Sequence, residues 1–168
     1  AGFPSATEAD RLIAGVSAAA RPAKALADGG ASAIWLMLAD GRPLAEGTLD
    51  DIERLRGGAR VTIAPGVAPP HELPSAWEVI GATGKAGDGL VSRWLNRPIS
   101  QRITLLLLGA LPSIRPIHVT LFNALLGLAM VPILVFGGEA GLILGGILFH
   151  AASVLDGVDG EMARATGR

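Results

Sequence analysis

Apolar and polar positions alternate differently in the two halves of the chain. Up to about residue 90, short apolar runs are separated by polar and turn-forming stretches. From Ile103 to Leu155 the chain is far more apolar. In the first half, Thr7 to Ala27 is rich in Ala and carries helix formers, with Pro22 as the expected break. Ala31 to Leu38 predicts a buried strand of the parallel-sheet kind. Asp40-Gly41 is a turn signal. Thr48, followed by early acids, predicts a short helix over 48–55. Arg60 to Ala64 is a second strand, and the Pro- and Gly-rich stretch 65–89 is loop with a short helix near Trp77. Helix, strand, helix, strand is the order of a small α/β layer.

In the second half, Ile117 to Phe136 is an apolar run of 20 residues, long enough to cross a bilayer core of roughly 30 Å. Pro132 is tolerable in a membrane helix. After Gly137-Gly138-Glu139, the run Ala140 to Leu155 has 16 residues, and reaches spanning length if its helix continues into the charged segment that follows. A pair of buried soluble helices would need further helices to cover it. Arg93, Arg97, Arg102 and Arg115 precede the first run, Arg164 and Arg168 follow the second, and the turn holds only Glu139. The positive-inside rule then puts both ends in the cytoplasm, with the chain in the inner, cytoplasmic membrane. Ser100 to Leu111 is apolar but too short to span, and reads as an interfacial helix on the inner leaflet. The expected fold is an α/β soluble N-terminal domain (1–87), a juxtamembrane interfacial segment (88–115) and an all-α transmembrane part (116–168).

Composition agrees. Half of the residues are hydrophobic and the mean hydropathy is +0.47, too apolar for an ordinary soluble domain. A net charge of −1 offers no basis for bulk nucleic-acid binding. The absence of cysteine excludes disulfides and thiolate chemistry. The chain begins at Ala1 without Met and stops just after a charged motif, and so reads as a fragment of a longer protein.

That motif is Asp156-Gly-Val-Asp-Gly-Glu-Met-Ala-Arg164. At about 100° per residue, a helix running through it places Asp156, Asp159, Gly160, Ala163 and Gly167 on one side. Two carboxylates about one turn apart then stand beside positions with almost no side chain. Carboxylate oxygens suit Mg²⁺, Mn²⁺ or Ca²⁺, and Mg²⁺ commonly shares its coordination with substrate phosphates. The small residues leave a gap where a ligand approaches the backbone, and Arg164 on the flank can pair with a phosphate or an acid. Acids beside a membrane helix end are functional candidates rather than ordinary surface charge.

The motif resembles the signature of the CDP-alcohol phosphotransferase family: Asp, two residues, Asp-Gly, two residues, Ala-Arg, then a Gly and two further Asp. Asp156, Asp159, Gly160, Ala163 and Arg164 match its first half, and its second half falls beyond Arg168. The family's Pro-Asn-x-x-Thr entry to its first helix is matched by Pro116 and Thr120, with Ile117 where Asn is usual. The resemblance implies a six-helix membrane bundle, of which this chain supplies the first two helices, and commonly a homodimer. It implies that Asp156 and Asp159 ligate a divalent metal, Mg²⁺ or Mn²⁺. Gly160 and Ala163 become nucleotide contacts and Arg164 a phosphate or structural contact. The implied reaction moves a substituted phosphate from a CDP-alcohol to an acceptor alcohol and releases CMP, as in phospholipid or phosphodiester biosynthesis. Its catalytic base belongs to the missing half, so this fragment alone is expected to be inactive.

Asp88 to Ser100 is similar to the juxtamembrane segment of a subgroup with a fused cytidylyltransferase-like domain, the inositol-phosphate and di-myo-inositol phosphate synthase type. Arg93 and Arg97 lie four apart, on one face of a helix, where they can contact lipid phosphates or an acceptor's phosphate. Positive-inside anchoring alone is the simpler role. Ala14-Gly15, Arg21 and Lys24 loosely echo a nucleotidyltransferase loop, while a degenerate, structural domain fits the first 87 residues at least as well. The competing function is a non-catalytic membrane anchor displaying an α/β binding domain. CDP-diacylglycerol and CDP-inositol both remain open as donors.

Overall fold

A computed structural model of the chain describes residues 1–84, 87 and 89–168, in two compact units, Ala1–Ala76 and Trp77–Thr166. Asp88, the expected start of the juxtamembrane segment, lies outside the described residues. Elements are numbered in chain order.

The N-terminal unit is α/β. Strands β1 (Gly2–Phe3), β4 (Ala33–Leu38) and β5 (Arg60–Pro65) form a parallel sheet in the order β1-β4-β5. Strands β2 (Leu12–Ile13) and β3 (Val16–Ser17) form an antiparallel hairpin. Helices α1 (Ala6–Asp10), α2 (Ala20–Asp28) and α3 (Glu46–Leu55) complete the unit. Ile34, Leu36 and Leu38 of β4 are buried while Trp35 between them is 58% exposed. The strand therefore alternates with a period of two and is covered on one face, not on both as its continuous apolar run predicts.

Two expectations change. The Ala-rich stretch 7–27 is not one helix broken at Pro22: it is α1, the hairpin and α2. Pro22 sits in the first turn of α2, where its missing N–H costs nothing because that donor has no partner within the helix. Helix α3 starts two residues before Thr48, which is buried inside it rather than capping it. Its Asp51 is buried too, accepting from the Ser17 N–H at 2.8 Å and pairing with Arg54. It is a core charge instead of a solvated helix-start acid.

The second unit is helical: α4 (Ala76–Gly81), a π-helical turn at Ser92–Asn96, α5 (Arg97–Ala110), α6 (Pro116–Phe136) and α7 (Gly138–Thr166). Helices α6 and α7 are long and apolar enough to cross a membrane. The 21 residues of α6 extend about 32 Å, passing through Pro132 without a break. Gly138 turns the chain between them at φ 55°, a conformation that favours glycine. Gly141 and Gly145 then let the helices approach, because a Cβ there would meet the Ile133 carbonyl and the Leu134 side chain. The large side chains of this hairpin face outward: Leu128, Phe136, Ile143 and Phe149 are each at least two-thirds exposed. A soluble core pair would bury these groups, so the hairpin suits lipid instead.

Helix α7 runs unbroken for 29 residues, so the short second apolar run is extended through the motif, as spanning requires. Helix α5 buries Ser100, Thr104 and Leu108, a stripe with a spacing of four, and packs against α7. Its Ile99 and Leu106 are exposed.

Candidate active site at the end of α7

The last turns of α7 carry the motif, and the helix periodicity brings its residues to one cavity. A space of about 470 Å³ is lined from α7 by Ser153, Asp156, Gly157, Asp159, Gly160, Glu161, Ala163 and Arg164. The π-turn and α5 close it with Ser92, Asn96, Arg97 and Ser100. Asp156, Asp159, Gly160, Ala163 and Arg164 all line this one cavity, whereas Gly167, expected on the same side, lies past the end of α7 and does not. Of the two expected phosphate-binding arginines, Arg97 lines it and Arg93 does not. Arg93 lies within the π-turn Ser92–Asn96, whereas Arg97 opens α5, the helix that packs against α7. Arg93 is exposed instead.

The two aspartates differ in their surroundings. Asp159 Oδ2 accepts from the Thr120 hydroxyl of α6 at 2.5 Å, which fixes its carboxylate and leaves Oδ1 for another partner. The Thr of the helix-entry pattern thus meets the motif directly, although Ile117 replaces Asn. Asp156 is exposed and makes no hydrogen bond among the described residues. Asn96 donates from Nδ2 to Ser153 Oγ at 2.9 Å, while its buried Oδ1 has no hydrogen-bond partner among the described residues. The cavity therefore offers two carboxylates, hard oxygen donors of the kind divalent cations take. Among the described residues no group of three or more His, Asp or Glu converges. Two carboxylates with substrate phosphates and water is nevertheless a common arrangement for Mg²⁺.

Arg164 lies back along the helix. Its Nε donates to the Thr83 carbonyl at 2.8 Å, and a Cβ on Gly160 would stand 3.0 and 3.2 Å from its Nη1 and Nη2. Gly160 thus leaves room for the guanidinium, a service to the protein's own side chain that its spacing did not suggest. Gly157 does the same for α5, since a Cβ there would come within 3.2 Å of Ser100 Cβ and Oγ.

Glu161 was not singled out by its sequence position, yet it is only 1% exposed. It accepts from Ser100 Oγ at 2.7 Å and from Thr104 Oγ1 at 3.0 Å. The signal was the pair Ser100 and Thr104, two hydroxyls with a spacing of four and so on one face of α5.

The residues that loosely echoed a nucleotide loop have other work. Ala14 and Gly15, both with positive φ, form the two-residue turn of the β2–β3 hairpin. Arg21 Nη2 donates to the Ile13 and Ala14 carbonyls at 2.6 and 3.2 Å. Burial pulls its guanidinium down to about 10, and nearby Asp51 partly offsets that. A cavity in this unit, about 690 Å³, is lined in part by Glu53 and Arg56, which already pair with each other at 2.5 Å.

Residues 113–168 match the CDP-alcohol phosphatidyltransferase family. That segment contains α6 and α7 with the whole motif, so the resemblance seen in Asp156 to Arg164 is borne out. Three curated relatives each carry the name bifunctional IPC transferase and DIPP synthase. The protein from Thermococcus kodakarensis is 40% identical over 101 residues, 59% of this chain and 22% of its own length. That from Aquifex aeolicus is 42% identical over 104 residues, 61% of this chain and 23% of its own. That from Archaeoglobus fulgidus is 36% identical over 91 residues, 52% of this chain and 16% of its own. The chain thus spans about a fifth of the length of the curated relatives it matches, and their names agree with the subgroup suggested by the juxtamembrane segment.

Proposed function

We propose that this chain is the donor-binding part of a membrane-embedded transferase that moves a substituted phosphate from a CDP-alcohol to an acceptor alcohol and releases CMP. The supporting observation is the single cavity shared by Asp156, Asp159, Gly160, Ala163, Arg164 and Arg97. Asp156 and Asp159 are the residues that would hold a divalent cation, Mg²⁺ or Mn²⁺. Such a cation supplies charge neutralisation for pyrophosphate oxygens. Thr120 orients Asp159 for that role, and Arg97 offers a fork of donors to the phosphates. Ala163 leaves the helix low beside the nucleotide, and Gly160 contributes to that contact by leaving room for the Arg164 guanidinium. In the reaction, the acceptor oxygen forms a bond to the β-phosphorus and the bond from that phosphorus to CMP breaks. The acceptor's proton passes to a carboxylate of the motif's second half, after Arg168.

The relatives' names favour inositol-phosphate chemistry over diacylglycerol transfer, and with it phosphodiester rather than phospholipid synthesis. The six-helix bundle, a homodimer and cytoplasmic placement of both chain ends belong to the same reading. A bare membrane anchor has no use for a cavity lined by two aspartates and two arginines, and so explains less. The deciding experiment measures CMP release by the whole protein with Mg²⁺ or Mn²⁺ and a panel of acceptors. Asp159→Asn should abolish it; turnover retained in that variant would remove Asp159 from the metal site.

A further inference from the structure

Helix α5 meets α7 through a line of polar contacts set into an otherwise apolar surface. Asn96 reaches Ser153, and Ser100 and Thr104 both reach the buried carboxylate of Glu161. Ser100 also fills the space left by the absent Cβ of Gly157. Their order along the two helices allows one register. A shift of α5 by one turn, about 5.4 Å, would leave the Glu161 carboxylate buried without donors, which is costly for a charged group. Apolar contacts alone would tolerate such sliding, because one lipid-like surface resembles another. Arg97 lies three residues before Ser100 on this helix and lines the cavity beside Asp156 and Asp159.

From this we infer that Glu161, latched by Ser100 and Thr104, is a positioning residue: it fixes α5 on α7 and so sets Arg97 against the two aspartates. The inference rests on the proposed function for what Arg97 holds, a pyrophosphate, but the latch itself is a matter of helix register. It is not a catalytic group, since both of its oxygens are taken by α5.

The test uses the whole protein in lipid nanodiscs, with any cysteine outside residues 1–168 replaced by Ser and nitroxides on Cys introduced at the exposed Leu106 and Ile147. Wild type should give one narrow α5–α7 distance. Glu161→Leu should broaden it and raise the donor KM at least tenfold, with kcat within about threefold. Glu161→Gln, which keeps an acceptor and a polar group for the two hydroxyls, should restore the narrow distance and most of the donor affinity. If Glu161→Leu fails to insert, the double variant Ser100→Ala with Thr104→Val is measured in its place and should behave likewise. A narrow distance in the variants that lack the latch, or a donor KM within twofold of wild type, would overturn the inference. Failure of the proposed function reads differently: no CMP release by wild type itself, while the distance still reports on the latch.

Discussion

Gly160→Ala separates two reasons for a small residue in the motif. A Cβ there would sit 3.0 and 3.2 Å from Arg164 Nη1 and Nη2, tight enough to push the guanidinium away from the helix. Arg164 would then give up part of its 2.8 Å bond to the Thr83 carbonyl. A hydrogen bond from a charged donor contributes roughly 1.5–3 kcal/mol, and about half of that remains for an exposed guanidinium. The expected loss is about 1.4 kcal/mol, or tenfold in kcat/KM for the CDP-alcohol donor. Helix propensity pulls the other way, because Gly→Ala inside a helix stabilises by roughly 0.5–1 kcal/mol. Activity should therefore fall tenfold while stability falls by less than about 1 kcal/mol, as measured by CMP release and by melting in nanodiscs. A double-mutant cycle locates the cause. If Gly160 serves Arg164, then Gly160→Ala in an Arg164→Ala background changes kcat/KM less than about twofold. The same tenfold loss in that background would show that the nucleotide itself needs the gap, and the account through Arg164 would be wrong.

Other outcomes follow from the same contacts. Thr120→Val removes the hydroxyl that holds Asp159 and should weaken Mn²⁺ binding, followed by electron paramagnetic resonance, by roughly 10–100-fold; unchanged affinity would separate Thr120 from the metal site. In the N-terminal unit, Asp51→Ala removes the acceptor of the Ser17 N–H and a carboxylate that offsets the charge of the buried Arg21, and should cost about 3–5 kcal/mol in urea unfolding, with Asp51→Asn costing less. Asp40 accepts from the Ala6 and Arg42 N–H groups, which hold its carboxyl below the ordinary range. Its contribution is complete above the unfolded-state value of about 4 and fades as pH falls toward the lower folded-state value. Asp40→Asn should flatten that acid limb of the unfolding curve, and a limb of unchanged slope would mean that other carboxylates carry it.

Much of the site was legible because helix periodicity is a short-range rule. Once α7 is known to continue past Leu155, the positions of Asp156, Asp159, Gly160, Ala163 and Arg164 follow from about 100° per residue alone. Strands β4 and β5 were legible for a similar reason, as compact apolar runs rich in β-formers. The hairpin within 7–27 was not, because its strands have two residues each and Ala-rich composition hides them. That Arg97 lines the cavity and Arg93 does not was hidden too, because which part of this segment faces α7 is decided by helix packing.

By itself, then, the amino-acid order determined an apolar helical hairpin, the face on which the motif lies and the acids that would take a cation. Those depend on local period and length. The tertiary structure decided what stands opposite that face: Thr120 on Asp159, Thr83 on Arg164, and Ser100 with Thr104 on Glu161. Each of those contacts joins residues at least 39 positions apart, and only the packing of one helix on another can bring such partners within hydrogen-bonding distance.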